Sequence, residues 1–83
     1  MNIKYFSWLR DRIGIEEEDI ELELESISVK ELIDLLAKKS DRHFEALKDT
    51  SIVRCAVNLE VVNFDHKIGK NDEVALFPPM TGG

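Results

Sequence analysis

The sequence predicts an α+β domain with one mixed sheet and a single main helix packed on one face. Three observations carry this expectation. The chain of 83 residues has room for one core and none for a second domain. Near both ends, and again beyond Val53, apolar residues recur with the period of two that marks strands. One stretch, beginning at Val29, repeats them at i, i+3, i+4 and i+7, the stripe of a helix with a single buried face.

The elements follow in order. A first strand is expected over Ile3–Leu9, with Ile3, Tyr5, Ser7 and Leu9 on one side and Lys4, Phe6 and Trp8 on the other. Both sides are partly apolar, so this strand is either covered twice or shows an apolar face to something outside the chain. Arg10–Gly14 reads as a connector of one helical turn, with Gly14 suited to end it in the left-handed region. Ile20, Leu22 and Leu24 then alternate with Glu21, Glu23 and Glu25, which predicts a half-buried strand. Its acidic side, together with the run from Glu16 to Asp19, is read as a solvated surface that discourages edge pairing.

Ser28 and Glu31 form a capping-box pair, so the helix should start at Val29 and bury Leu32, Ile33 and Leu36. Lys38 and Lys39 suit the negative end of its dipole. Ser40 offers a second cap for a short amphipathic piece ending at Leu47, with Phe44 and Leu47 on one surface and His43 expected as an exposed polar residue. Val53, Cys55, Val57, Leu59 and Val61 share parity. Because Asn58 can bond its own backbone, two strands bent near Asn58 to Glu60 are expected, with Cys55 on the inner face as a small hydrophobe. Val61 faces outward only if that bend shifts the register by one. Gly69–Asp72 is a turn and Glu73–Phe77 a last strand, again with apolar residues, Ala75 and Phe77, on its second side. This order suits a β-grasp, or ubiquitin-like, roll over residues 1–77, followed by a tail of residues 78–83.

Composition narrows the function. A net charge of −6 sets the chain against nucleic acids and anionic membrane surfaces and favours a protein partner with a basic surface. The single cysteine cannot form an internal disulfide, and no cluster of Cys and His suggests a metal. No nucleophile with a base and no phosphate loop is found, so neither a free-standing enzyme nor a bound cofactor is expected. With no leader pattern and no apolar run of spanning length, a cytoplasmic protein is expected.

The tail Pro78-Pro79-Met80-Thr81-Gly82-Gly83 is the most informative segment. Two prolines fix φ and remove two N–H donors, so the strand must stop and a stiff stem must lead the chain away. Two glycines without Cβ let backbone and carboxylate pass through a channel too narrow for side chains. A carboxylate presented in this way can be adenylated by a partner and captured by a sulfur or amine nucleophile.

Phe77-Pro78-Pro79-Met80-Thr81-Gly82-Gly83 resembles the Phe-Pro-Pro-x-x-Gly-Gly ending of the small subunit of molybdopterin synthase, a family of ubiquitin-like sulfur carriers. Tyr5-Phe6 with Leu9-Arg10-Asp11 and Gly14, Ser40-Asp41-Arg42, Ala56-Val57-Asn58, Phe64-Asp65-His66 and Asp72-Glu73-Val74-Ala75 are similar to other parts of that family, so the resemblance spans the chain. It implies a carrier that is itself no catalyst. A ubiquitin-activating-like enzyme would adenylate Gly83 with ATP, a sulfur relay would make a thiocarboxylate, and the large subunit of the synthase would receive the sulfur for a pyranopterin precursor. Two carriers would flank a dimer of large subunits. Gly82 would supply clearance. The family's docking surface maps onto Phe6, Arg10, Val61 and Phe77, and Pro78, Pro79, Met80 and Thr81 would seat in the partner channel. Met80 stands where the family usually has Val, and Lys70-Asn71-Asp72 where it often has Asp-Gly-Asp. The competing readings are a carrier of the thiamine type, a modifier conjugated to lysines, and a β-grasp interaction module with an inert tail.

Overall fold

The computed structural model describes residues 1–79. Seven strands and three α-helices run in the order β1 (Asn2–Tyr5), α1 (Ser7–Ile13), β2 (Glu17–Asp19), β3 (Ser26–Ser28), α2 (Val29–Ala37), α3 (Asp41–Leu47), a 3₁₀ turn (Thr50–Ile52), β4 (Arg54–Val57), β5 (Glu60–Val62), β6 (Lys67–Gly69) and β7 (Glu73–Phe77). Five strands form the main sheet in the order β2-β1-β7-β4-β5, and β3 pairs with β6 in a separate ribbon. The first and last strands are parallel central neighbours, while β1–β2, β4–β7 and β4–β5 are antiparallel, so the sheet is mixed. This is the ubiquitin-like α+β roll that the strand and helix pattern predicts.

The helix α2 starts where its chemistry requires. Ser28 Oγ accepts from the Glu31 N–H at 3.1 Å and Glu31 Oε1 accepts from the Ser28 N–H at 2.9 Å, satisfying two orphan donors. Its stripe of Val29, Leu32, Ile33 and Leu36 is fully buried against Ile3, Tyr5, Cys55, Val74 and Leu76 from the inner side of the sheet. Burial of this apolar area, at about 25 cal/mol per Å², is the main source of stability in a chain without an internal cross-link.

Three expectations are corrected. The first strand ends at Tyr5, not Leu9: Phe6 is the N-cap of α1, Ser7 has φ 57°, and the chain turns into a helix that buries Leu9 and Ile13. Leu9 and Ile13 lie four apart, so one helical face reaches the core where a continued strand would have split them between two sides. The second strand is Glu17–Asp19 rather than the alternating 20–24 segment, in which burial decays from Ile20 at 8% to Leu24 at 61% exposed. That segment lies along the edge of the core without a ladder partner among the described residues. Third, His43 is buried at 7% exposed instead of lying on the surface.

The burial of His43 follows from a polar cluster that ties β1, β2 and α3 to the segment between α2 and α3. Glu18 Oε2 accepts from the Tyr5 hydroxyl at 2.6 Å and from His43 Nε2 at 2.7 Å, while Oε1 pairs with Lys39 Nζ at 2.8 Å. Ser40 Oγ caps α3 by accepting from the His43 N–H at 3.1 Å and meets His43 Nδ1 at 2.7 Å. With both ring nitrogens engaged, the imidazole sits in the interior at no unpaired cost. Burial raises the Glu18 carboxyl, but the bonds from Lys39, Tyr5 and His43 outweigh it and bring its pKa down from 4.5 to about 2.

Candidate functional site: the outer sheet face and the tail root

The register places one side of the sheet outside the core. Lys4 stands opposite Ala75, Ala75 opposite Ala56, and Ala56 opposite Val61, so the middle of this side is paved with small residues. Around that floor stand larger apolar groups. Val61 is 71% exposed and Phe6 is 45% exposed, while Phe77 is half-buried at the end of β7. The Phe6 N–H donates to the Leu76 carbonyl at 3.1 Å, which fixes Phe6 next to the end of the strand that carries Phe77. Arg10, exposed on α1, shares a concavity of about 290 Å³ with Phe6, Lys4, Tyr5, Glu16 and Glu17. Among the described residues its guanidinium has only a loose pairing with Asp11, at 3.7 Å.

The structure thus brings Phe6, Arg10 and Phe77 together at one end of the sheet and puts Val61 on the same side, one strand beyond β4. Val61 faces outward because the bend does shift the register. Asn58 and Leu59 both have positive φ, 50° and 73°, as a two-residue turn of the I′ kind requires, so Ala56 pairs with Val61 and Cys55 with Val62. Cys55 is wholly buried and burial pushes its thiol up to about 11, so it is a core group and no nucleophile.

Sequence reasoning missed Leu59. It is 93% exposed, and a leucine in the left-handed region is strained by about 1 kcal/mol. The signal was present in Asn58-Leu59, where this turn ordinarily takes glycine second.

β7 stops at Phe77, directly before Pro78 and Pro79, which are half-buried at the root of the tail. Met80, Thr81, Gly82 and Gly83 lie outside the described residues. Among the described residues no group of three or more His, Cys, Asp and Glu could hold a metal ion, and no helix is long and apolar enough to cross a membrane.

The comparison that decides the family spans nearly the whole chain: the ThiS family profile matches residues 3–83. The chain belongs to the ThiS family. Within it, the chain is 35% identical over 83 residues to the molybdopterin synthase sulfur carrier subunit of Escherichia coli, covering 100% of this chain and 99% of that one. A Pyrococcus furiosus structure, provisionally assigned as molybdopterin converting factor, subunit 1, superimposes with TM-score 0.76 at 32% identity over 95% of each chain. A Helicobacter pylori chain, solved in a complex of subunits 1 and 2 of molybdopterin-converting factor, shares the fold at 24% identity and TM-score 0.62, with 99% and 96% of the two chains covered. The resemblance seen in the heptapeptide ending therefore holds along the ThiS-family chain as a whole.

Proposed function

We propose that this ThiS-family chain is the sulfur-carrying small subunit of a molybdopterin synthase, and that its chemistry resides in the C-terminal carboxylate of Gly83. The observation that carries the reading is positional: the exposed Phe6 and the half-buried Phe77 stand at the end of β7 from which the Pro78-Pro79 stem departs. A partner that encloses the tail must come down on that face. Full-length similarity to molybdopterin synthase sulfur carrier subunits supports the substrate class.

In the proposed cycle a ubiquitin-activating-like enzyme binds the chain and ATP. A Gly83 carboxylate oxygen attacks the α-phosphate and pyrophosphate leaves; sulfide-level sulfur then attacks the acyl carbon and displaces AMP, giving the thiocarboxylate directly. The charged carrier docks on the large subunit through Phe6, Arg10, Val61 and Phe77. Its tail, Pro78 to Gly82, threads the active site; the thiocarboxylate sulfur bonds to the pyranopterin precursor, and water then cleaves the acyl carbon–sulfur bond, which leaves sulfur on the precursor and returns the Gly83 carboxylate. The carrier supplies no catalytic residue. Residues 1–77 act as the docking body, and two carriers flank a dimer of large subunits.

Adding one alanine after Gly83 separates this reading from an interaction module. The extended chain should still bind the large subunit but give no product with precursor and a sulfur source. Product formation at the parent rate would refute the role of the carboxylate.

A further inference from the structure

A second concavity, of about 320 Å³, opens on the helical side of the tail root and is lined by Trp8, Arg12, Ile52, Pro78 and Pro79. Trp8 is half-buried and packs on the core, which holds one wall fixed. The Arg12 guanidinium lies over the Trp8 ring, 4.9 Å from its centre, and among the described residues it enters no ion pair. Ile52 is 37% exposed beside it. The docking face of Phe6, Val61 and Phe77 leaves this groove unused.

We propose that the groove is a second grip on the large subunit, receiving an apolar side chain flanked by a carboxylate from the rim of the channel that takes the tail. The inference rests on the carrier reading and deepens it. Two features select this occupant. The stem itself, Pro78 and Pro79, forms one wall, so a body enclosing the tail from Met80 onward must pass over the groove. Although Asp41, Arg42 and Glu45 share a neighbouring concavity with it, Arg12 has no ion-pair partner among the described residues and is already ordered on an aromatic face, so an incoming carboxylate gains a partner without having to order it. Gripped on the sheet side and on the α1 side, the tail would enter its channel in one orientation.

Trp8 is the only tryptophan, so the protein grown with 5-fluorotryptophan gives a single ¹⁹F resonance from the groove. Titration of the full chain with the large subunit should shift and broaden that resonance. Arg12→Glu, a change at an exposed side chain, should weaken binding at least tenfold, and the loss should shrink as salt is raised. Phe77→Asp serves as the reference. If Phe77→Asp abolishes binding while Arg12→Glu binds within twofold of the parent and the Trp8 resonance stays put, the groove proposal is overturned and the carrier reading stands. Failure of the parent chain to bind the large subunit overturns both. Movement of the resonance with the chain's own concentration, before any partner is added, would assign the groove to a second copy and likewise overturn the proposal.

Discussion

Replacing Glu18 by Gln tests whether the buried polar cluster holds the fold together as its geometry indicates. The amide keeps the size of the side chain but removes the charge that Lys39, His43 and Tyr5 converge on. The fall of the carboxyl from 4.5 to about 2 corresponds to about 3 kcal/mol, at about 1.4 kcal/mol per tenfold change. Glu18 keeps 14% of its side-chain surface in water, so screening reduces the expected loss to about 2 kcal/mol. For a domain of this size that lowers Tm by about 8–16 °C at neutral pH. The sign with pH is fixed. A folded-state value below the unfolded one stabilises fully above about pH 5 and is lost as pH falls toward 2, so the gap between parent and variant should more than halve by about pH 3. Urea titrations at pH 7, 5, 4 and 3 measure it. A gap that stays constant over this range, or one below about 0.5 kcal/mol at pH 7, would refute the assignment of stability to the Glu18 charge.

Three further predictions concern other parts of the chain. Gly14 closes α1 at φ 94° and lies against the Arg42 guanidinium, so Gly14→Ala should cost about 1 kcal/mol, chiefly from the left-handed backbone; urea unfolding reads it. Cys55, buried with its thiol raised to about 11, should resist an aromatic disulfide reagent in the folded protein at pH 8 and react fully in denaturant; prompt reaction while folded would contradict its core placement. If Gly82 supplies clearance in the partner channel as proposed, Gly82→Ala should slow sulfur transfer to the precursor while leaving Tm unchanged. Normal product formation by that variant would remove the clearance argument.

Much of the fold was legible because local chemistry and tertiary packing agreed. The capping box at Ser28 and Glu31, the four-residue stripe of α2 and the strand Glu73–Phe77 stand where the sequence put them. The errors arose where the two disagree. Aromatic and β-branched residues from Ile3 to Leu9 favour a strand, but the spacing of Leu9 and Ile13 lets a helix bury both, and a positive φ at Ser7 makes the break. The alternation of Ile20, Leu22 and Leu24 imitated a strand, whereas β2 is a three-residue acidic edge with hardly any apolar signal. β3 and β6 are equally short, and their pairing across about forty residues leaves no local mark. His43 finds its partner 25 residues away in Glu18, a contact that no window of sequence can reveal.

The site was legible in a different sense. Phe6 and Phe77 stood out as apolar residues on sides that no core needed, and the structure exposes the first and half-exposes the second at the root of the Pro-Pro stem. Val61 required the turn geometry at Asn58 and Leu59 before its direction could be known. The groove at Trp8 and Arg12 could not be foreseen while Trp8 was read as part of a strand.

The central claim is that Gly83 carries sulfur, and intact mass spectrometry tests it most directly. After incubation with a ubiquitin-activating-like enzyme, ATP and a sulfur source, the chain should gain the mass of one oxygen exchanged for one sulfur. The change should map to Gly83 and vanish when the large subunit and precursor are added. An unchanged mass with several competent activating enzymes would contradict the account and leave a docking domain with an inert tail.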